Sequence, residues 1–339
     1  MEPGAGWKRE TPVVFFIFKR PDTTERVFQA IREARPKKLL IIADGPRQDR
    51  PGEKEACQRA REIVEKIDWD CEVLRNYSDV NLGCNERIVS GLNWTFSQVE
   101  EAIILEDDCL PAPSFFRFCE EMLERYRDVP SVFSVCGAVS VPMSERNSYY
   151  FSAYFACHGW GAWKRAWNHF PGTELESLRE AFSGNHMKMA IEETFSVGRV
   201  KRHVRQALRL ILRGRYVSWD YSWSFWCLKN KALCVVSARN LVVNIGVGIG
   251  THSSGIFLSP SAPERLDRLD FPLIHPSLVA RDEPRDMALD RFVAPFFNYS
   301  FVYSLILWMK IIVPVSFHAG LKTYSTKVMA FFAKFYQRG

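Results

Sequence analysis

The stretch AIILEDDCLPAPSFFRF, residues 102–118, decides how the rest of the chain is read. Its first four residues are apolar, without polar alternation, and too few for a helix. That is the pattern of a strand covered on both faces. They run straight into Glu106, Asp107 and Asp108, and a helical pattern follows at 114–126 with Ser114 as its candidate cap. Three adjacent carboxylates at a strand end repel one another unless a cation or water takes up the charge. Magnesium and manganese favour such oxygen ligands, completed by phosphate oxygens of a substrate. Taken alone, the acidic triplet also reads as a solvated turn. The strand before it and the helix start after it favour a site.

The same alternation extends through the first 140 residues. Short apolar runs at 13–18 (VVFFIF), 39–43 (LLIIA), 71–75 and 132–135 predict strands. Residues 23–34, 53–67, 85–96 and 114–126 predict helices, as where Ile88, Leu92 and Phe96 align on one face. Short strands alternating with longer helices predict parallel βα units and an α/β fold with helices on both sheet faces. In such sheets ligands bind beyond the carboxyl ends of the strands. Two strands end there in acids, at Asp44 and at 106–108. Neither a glycine-rich dinucleotide fingerprint nor a P-loop occurs, which sets those nucleotide sites aside.

The second half reads differently. Aromatics and glycines are dense in YYFSAYFACHGWGAWKRAWNHF (149–170). Residues 199–215 (RVKRHVRQALRLILRGR) hold seven Lys/Arg and no acid, with Val200, Val204, Leu208 and Ile211 on one helical face. VSWDYSWSFWCL (217–228) follows, then strand-like runs at 233–236 and 241–244 and the loop NIGVGIGTHSSG (244–255). Residues 259–291, rich in proline and charge, read as a linker. Between two prolines lies FFNYSFVYSLILWMKIIV (296–313), 18 residues that include Asn298 and Lys310. That length is at the lower edge of the roughly 17–25 needed to span a bilayer. Beyond it, Val328, Phe331, Phe332 and Phe335 share a helical face flanked by Lys327, Lys334 and Arg338, a basic amphipathic pattern suited to an anionic membrane surface. A helical pair packed on the body, or on a second copy of the chain, would read the same way.

The chain's 339 residues allow about two domains or one large one. Its 47% apolar and 25% charged content excludes a disordered or fibrous protein. Nine scattered cysteines without a CxxC pair read as reduced, mostly buried thiols. The first dozen residues lack an apolar core, so no signal peptide is expected, and the expected location is the cytoplasmic face of a bacterial membrane. The net charge of +6 is unevenly placed. Segments 199–215 and 292–339 hold twelve Lys/Arg and no acid, leaving 33 basic against 39 acidic residues elsewhere. The basic residues of 199–215 are not interleaved with aromatics, so nucleic acid is not an expected partner. The functional reading of that run is contact with an anionic membrane or a lipid-diphosphate acceptor, and the bland alternative is a solvated helix face.

The ordered motifs resemble those of GT-A fold nucleotide-diphospho-sugar glycosyltransferases, in particular the N-acetylglucosaminyltransferases of N-glycan branching and their bacterial relatives. The resemblance rests on six elements: Arg20 in FIFKRPDTT, Asp44 in IIADG, the acidic strand end with its PAPSFF helix start (103–116), HGWG (158–161), WDYSW (219–223) and IGTH (249–252). It spans residues 12–255 and departs from the family in a longer helical insert before Trp219, a single acid after it, and the hydrophobic tail. It implies a Rossmann-like, mostly parallel sheet with a helical C-terminal tail. Residues 1–140 would form the nucleotide-sugar half and 141–258 the acceptor and catalytic half of one domain, with 259–291 a linker and 292–339 a membrane-associated tail.

The resemblance also implies roles. Mn²⁺ or Mg²⁺ would be held mainly by Asp108, with Glu106 and Asp107 on ribose or sugar hydroxyls. Asp44 would meet the nucleobase, and Arg20, Thr251 and His252 the nucleotide or its phosphates. Trp160 would offer an apolar face to a sugar ring. Asp220 would act as general base in an inverting transfer. The donor would be a nucleotide-diphospho-sugar, a UDP-sugar favoured, and the acceptor a saccharide or lipid-linked precursor. By residue type alone, Asp220 also reads as a satisfied buried carboxylate, His252 as a loop cap, Trp160 as core, Arg20 as a surface charge and Asp44-Gly45 as a generic turn. Two rival functions remain open: a sugar nucleotidyltransferase, although KRPDTT is not the glycine-rich loop expected after its first strand, and a non-catalytic membrane-bound scaffold. The tail could also support a homo-oligomer.

Overall fold

The computed structural model describes residues 10–139, 146–246 and 265–297. Thr251, His252 and all but the first residues of the expected tail lie outside them.

The N-terminal half alternates as expected: β1 (Val13–Ile17), α1 (Pro21–Ala34), β2 (Lys38–Ala43), α2 (Glu53–Val64), β3 (Glu72–Tyr77), α3 (Cys84–Gln98), β4 (Glu101–Glu106), the short β5 (Cys109–Pro111), α4 (Pro113–Arg125) and β6 (Val132–Cys136). Proline opens both α1 and α4, where its fixed φ suits the first turn and its missing N–H costs nothing. Ser114 is therefore inside α4 and does not cap it; its Oγ instead accepts from the Leu269 amide at 3.4 Å.

The second half supplies β7 (Tyr149–Ser152), β8 (Trp160–Trp163), α5 (Lys164–Trp167), α6 (Leu175–Phe182), α7 (Asn185–Thr194), α8 (Gly198–Leu212), α9 (Trp219–Lys229), β9 (Leu233–Ser237), β10 (Val242–Asn244) and α10 (Glu283–Val293), followed by a 3-10 turn (Ala294–Phe297). Both halves join one eight-stranded sheet of order β3-β2-β1-β4-β8-β6-β9-β7. Strands β3, β2, β1 and β4 are mutually parallel, as are β6 and β9; β8 is antiparallel to both its neighbours, and β7 runs antiparallel to β9. This is the expected α/β, Rossmann-like architecture with a mostly parallel, mixed sheet.

Alternate residues of β1 point into different layers. Val13, Phe15 and Ile17 pack with α1, α2 and α4, whereas Val14 and Phe16 pack with α3, α5 and α9. Cover on both sides explains why these strands read as unbroken apolar runs. A third cluster joins α6, α7 and α8 to the outer face of α9.

The expected linker is partly helical. Within α10, buried Asp286 accepts from Ser152 Oγ, the Ala153 amide (3.0 Å) and Arg281 Nε (2.6 Å). Asp290 accepts from the Tyr154 hydroxyl and from the Ser196 amide and hydroxyl. These bonds dock α10 against the segment leaving β7, which leads to His158.

All nine cysteines are free, six of them buried. Among the described residues no helix is long and apolar enough to cross a membrane.

Candidate active site

In the order β3-β2-β1-β4, chain direction reverses its march across the sheet between β1 and β4. The crevice beyond the carboxyl ends of these strands is where open α/β sheets bind ligands. Arg20, three residues past β1, and Asp107 and Asp108, immediately past β4, meet there. Arg20 Nη1 donates to Asp107 Oδ1 at 2.8 Å and to Asp108 Oδ2 at 2.7 Å. Asp107 Oδ2 also accepts the Phe18 amide at 3.1 Å, tying the ends of β1 and β4 together. Among the described residues, Arg20 Nε and Nη2 have no partner, so donors remain for a phosphate.

One guanidinium does not balance this cluster. Burial, against the pull of Arg20 and with the push of Asp108, raises Asp107 to about 7. Burial raises Glu106 well above the carboxylate range, reinforced by Asp108, Asp107 and Asp220. Carboxylates that resist ionisation in a shared crevice favour a further cation. Their hard oxygens suit Mg²⁺ or Mn²⁺, which bind through one or two carboxylates together with substrate phosphates. Among the described residues no group of three or more His, Cys, Asp or Glu is arranged to hold a metal on protein ligands alone.

Asp220, 112 positions after Asp108, reaches the same crevice. It stands in the first turn of α9, where Ser218 Oγ donates to its Oδ1 and the Tyr221 amide reaches the same oxygen at 2.9 Å. Asn85, near the start of α3, fixes that turn by accepting the Trp219 amide (2.8 Å) and donating to the Val217 carbonyl (3.1 Å). His158 completes the group. Burial lowers its pKa, opposed by the nearby Asp108 and Asp220, so its imidazole is neutral near pH 7.

Two glycines bring the walls close. The Ile245 amide donates to the Asp108 carbonyl at 2.7 Å, and β10 pairs with β5. A Cβ on Gly246 would stand 2.7 Å from Asp108 Oδ2. Gly159, beside His158, has φ +66°, and a Cβ there would meet Val242 at 2.6 Å.

Two expected residues do something else. Asp44 is buried, and its carboxylate is saturated: Oδ1 accepts from Gly45 N and Leu82 N, both at 2.9 Å, and Oδ2 from Asn81 Nδ2 (2.9 Å) and Gly83 N (3.0 Å). With about four acceptor positions filled, it organises the 81–83 loop before α3 and has nothing left to offer a nucleobase. Trp160 is 1% exposed. It lies on the central strand β8, with ring centres 4.9 Å from Phe155 and 6.1 Å from Trp219, so it presents no face to a sugar. Trp160 is core behind the site. Arg20, Glu106, Asp107, Asp108 and Asp220 are brought together; Asn85, His158 and Gly246 are additions that the sequence reading did not assign.

The sequence matches no protein-family model and no curated protein. Among solved structures, the chain is similar to residues 1–349 of S. aureus TarS (TM-score 0.38, 9% identity, 69% of this chain and 59% of that one). It therefore spans about three fifths of that structure. It is also similar to UDP-glucose pyrophosphorylase complexed with UDP-glucose (TM-score 0.32, 9% identity, 70% and 94%). A third likeness is to 4-diphosphocytidyl-2C-methyl-D-erythritol synthase of Anaerococcus prevotii (TM-score 0.31, 10% identity, 56% and 81%). Likeness at this level does not assign an activity.

Proposed function

We propose that the chain is a metal-dependent glycosyltransferase. It would move a sugar from a nucleotide-diphosphate donor, a UDP-sugar favoured, to a saccharide or lipid-linked acceptor at the cytoplasmic face of a membrane. The observation that carries this reading is the convergence of residues 106–108, Asp220 and His158 around Arg20 at the β1/β4 crevice.

Asp108, with Asp107 beside it, is the carboxylate suited to hold Mn²⁺ or Mg²⁺. When bound, the metal supplies charge neutralisation for a leaving diphosphate. Arg20 keeps Asp107 and Asp108 oriented and turns its remaining donors to phosphate oxygens. Glu106 is suited to ribose or sugar hydroxyls. Asp220, on a separate element and held by Ser218, takes the proton of the acceptor hydroxyl. The acceptor oxygen forms its bond to the anomeric carbon, the bond from that carbon to the diphosphate oxygen breaks, and the diphosphate leaves with the electron pair. Attack from the face opposite the leaving group inverts the anomeric centre, by the geometry of an inverting hydrolase with an alcohol in place of water. Thr251 and His252 follow Gly246 by a few residues and belong to this proposal as phosphate ligands.

The test is turnover by Asp220→Asn and Asp108→Ala with a donor found by screening nucleotide-sugars in the presence of Mn²⁺. Loss of a general base costs roughly 10²–10⁴-fold, and both variants are expected to melt near wild type. The product should be a nucleoside diphosphate. Undiminished turnover in both variants would overturn the assignment, and pyrophosphate release would replace it with nucleotidyl transfer.

A further inference from the structure

We propose that α8 docks on an anionic phospholipid bilayer through a stripe of four arginines, Arg199, Arg202, Arg209 and Arg213. This deepens the membrane-surface part of the functional reading and does not depend on the transfer chemistry.

The helix is divided by face. Val200, His203, Ala207, Leu208, Leu210 and Ile211 are buried. At 100° per residue, positions 199, 202, 209 and 213 fall within an arc of about 80°, bordered on one edge by the buried Leu210 and His203 and on the other by Arg205, and extend over about 21 Å along the axis. All four are exposed, and none has a carboxylate partner among the described residues. The other two cations of the helix, Lys201 and Arg205, lie outside the arc and are both paired with Glu192 of α7. A single carboxylate thus meets the two cations beside the row, while the guanidinium row itself has none among the described residues.

Two connections choose the occupant. At the start of α8, Val200 packs against Val293 and Ala294, next to Leu289 of α10. The chain leaves the described residues at 297, and its remaining sequence contains the apolar run through 313 and then Lys322, Lys327, Lys334 and Arg338 without an acid. The arginine row thus begins beside the point from which the most apolar stretch of the chain departs. At the other end, residues 214–218 lead directly into Trp219 and Asp220. A surface that meets α8 places a lipid-linked acceptor next to the carboxylate proposed to deprotonate it. Charge, apolar continuation and proximity to Asp220 all fit a lipid surface. No aromatic side chain lies along the arc to stack on a base, which disfavours a nucleic acid.

The experiment is cosedimentation of the full chain with vesicles of phosphatidylcholine, with and without phosphatidylglycerol, over a series of NaCl concentrations. Wild type should partition onto the anionic vesicles in a salt-sensitive way. Each Arg→Gln change in the stripe should weaken that partitioning by roughly fivefold at low salt, and the quadruple variant should lose the phosphatidylglycerol dependence. Arg26→Gln, Lys54→Gln and Arg59→Gln, exposed on α1 and α2, should not. Surface substitutions of this kind should leave the thermal midpoint unchanged, which is checked alongside. A quadruple variant that keeps the wild-type phosphatidylglycerol dependence overturns the proposal. So does a wild type that binds both vesicle types equally, or a variant that loses oligonucleotide binding while still partitioning onto anionic vesicles.

Discussion

Asp108 depends on a side chain that is not there. Because a Cβ on Gly246 would stand 2.7 Å from its carboxylate, Gly246→Ala must move either Asp108 or the loop after β10. Misplacement of about 1 Å near reacting atoms costs up to ~100-fold in rate. We expect turnover of Gly246→Ala to fall by that order while its thermal midpoint stays near wild type, measured by steady-state kinetics and a melt on the same preparation. Trp160 behaves in the opposite way. Its indole is enclosed by Phe155, Trp167, Trp219 and Trp223. Trp160→Ala is expected to destabilise the fold by about 3–5 kcal/mol in urea unfolding, where loss of a sugar platform would have left stability intact. Acids at strand ends are legible in sequence because strand and acid are adjacent in the chain. Asp44 shows the limit of that reading. Its position is legible, but three of the four donors that saturate it come from residues 81–83, across β3. The part that His158 plays within HGWG, and Asn85 altogether, escape the sequence for the same reason: what makes them matter lies 50 to 134 positions away.

At the scale of elements, the crevice rim is built by one buried carboxylate. Glu53, at the start of α2, accepts from Arg47 N and Nε (both 2.9 Å), Arg47 Nη2 (2.5 Å) and Lys19 Nζ (2.5 Å). It thereby clamps the loop after β2 to the residue before Arg20. Hydrogen bonds from Arg47, and then from Lys19, against the opposing effect of burial, lower its pKa from the ordinary 4.5 to about 2. A depressed carboxyl pKa contributes stability that is complete above the unfolded value and is lost as pH falls through the folded one. Wild type should therefore exceed Glu53→Gln in stability at neutral pH. The difference should shrink between pH 4.5 and 2, as followed by urea midpoints at each pH; a constant gap would mean that the clamp does not act through charge. The strands that the sequence predicts lie within one or two residues of their expected ends, but β5, β7 and β8 are not among them. Other failures are at ends and joins. Ser114 looks like a cap, but Pro113 had already opened the helix, and α10 was hidden in a proline- and charge-rich stretch whose two key acids point inward to Ser152 and Tyr154.

For the whole molecule, the crevice joins residues 20, 106–108, 158 and 220, so ligand occupancy should stabilise the entire fold. A ligand at a hundred times its Kd contributes about 2.7 kcal/mol. A matching nucleotide-sugar with Mn²⁺ is expected to raise the thermal midpoint, and a chelator to abolish most of the rise. An equal rise with chelator present would exclude a metal from donor binding. The parallel β3-β2-β1-β4 half could be read from the sequence because each strand there is followed by its own covering helix. The remainder could not, since β8 enters the sheet between β4 and β6 although 23 residues separate it from the end of β6.

That insertion sets a schedule for the nascent chain. Strands β1 to β4 are complete once Glu106 has been made, and they can pair as soon as that stretch has cleared the ribosome. The open edge of β4, with Ala102 and Ile104 side by side with Ile103 and Leu105, then waits for Trp163 before β8 can cover it. Strand β6 emerges earlier but has no place to attach until β8 arrives, because its other partner among the described residues, β9, comes later still. During that interval the half-built sheet exposes an unpaired apolar edge, the kind of surface that promotes aggregation. The first half of the chain is therefore the stretch in which translation speed and chaperone access bear most directly on the yield of folded protein.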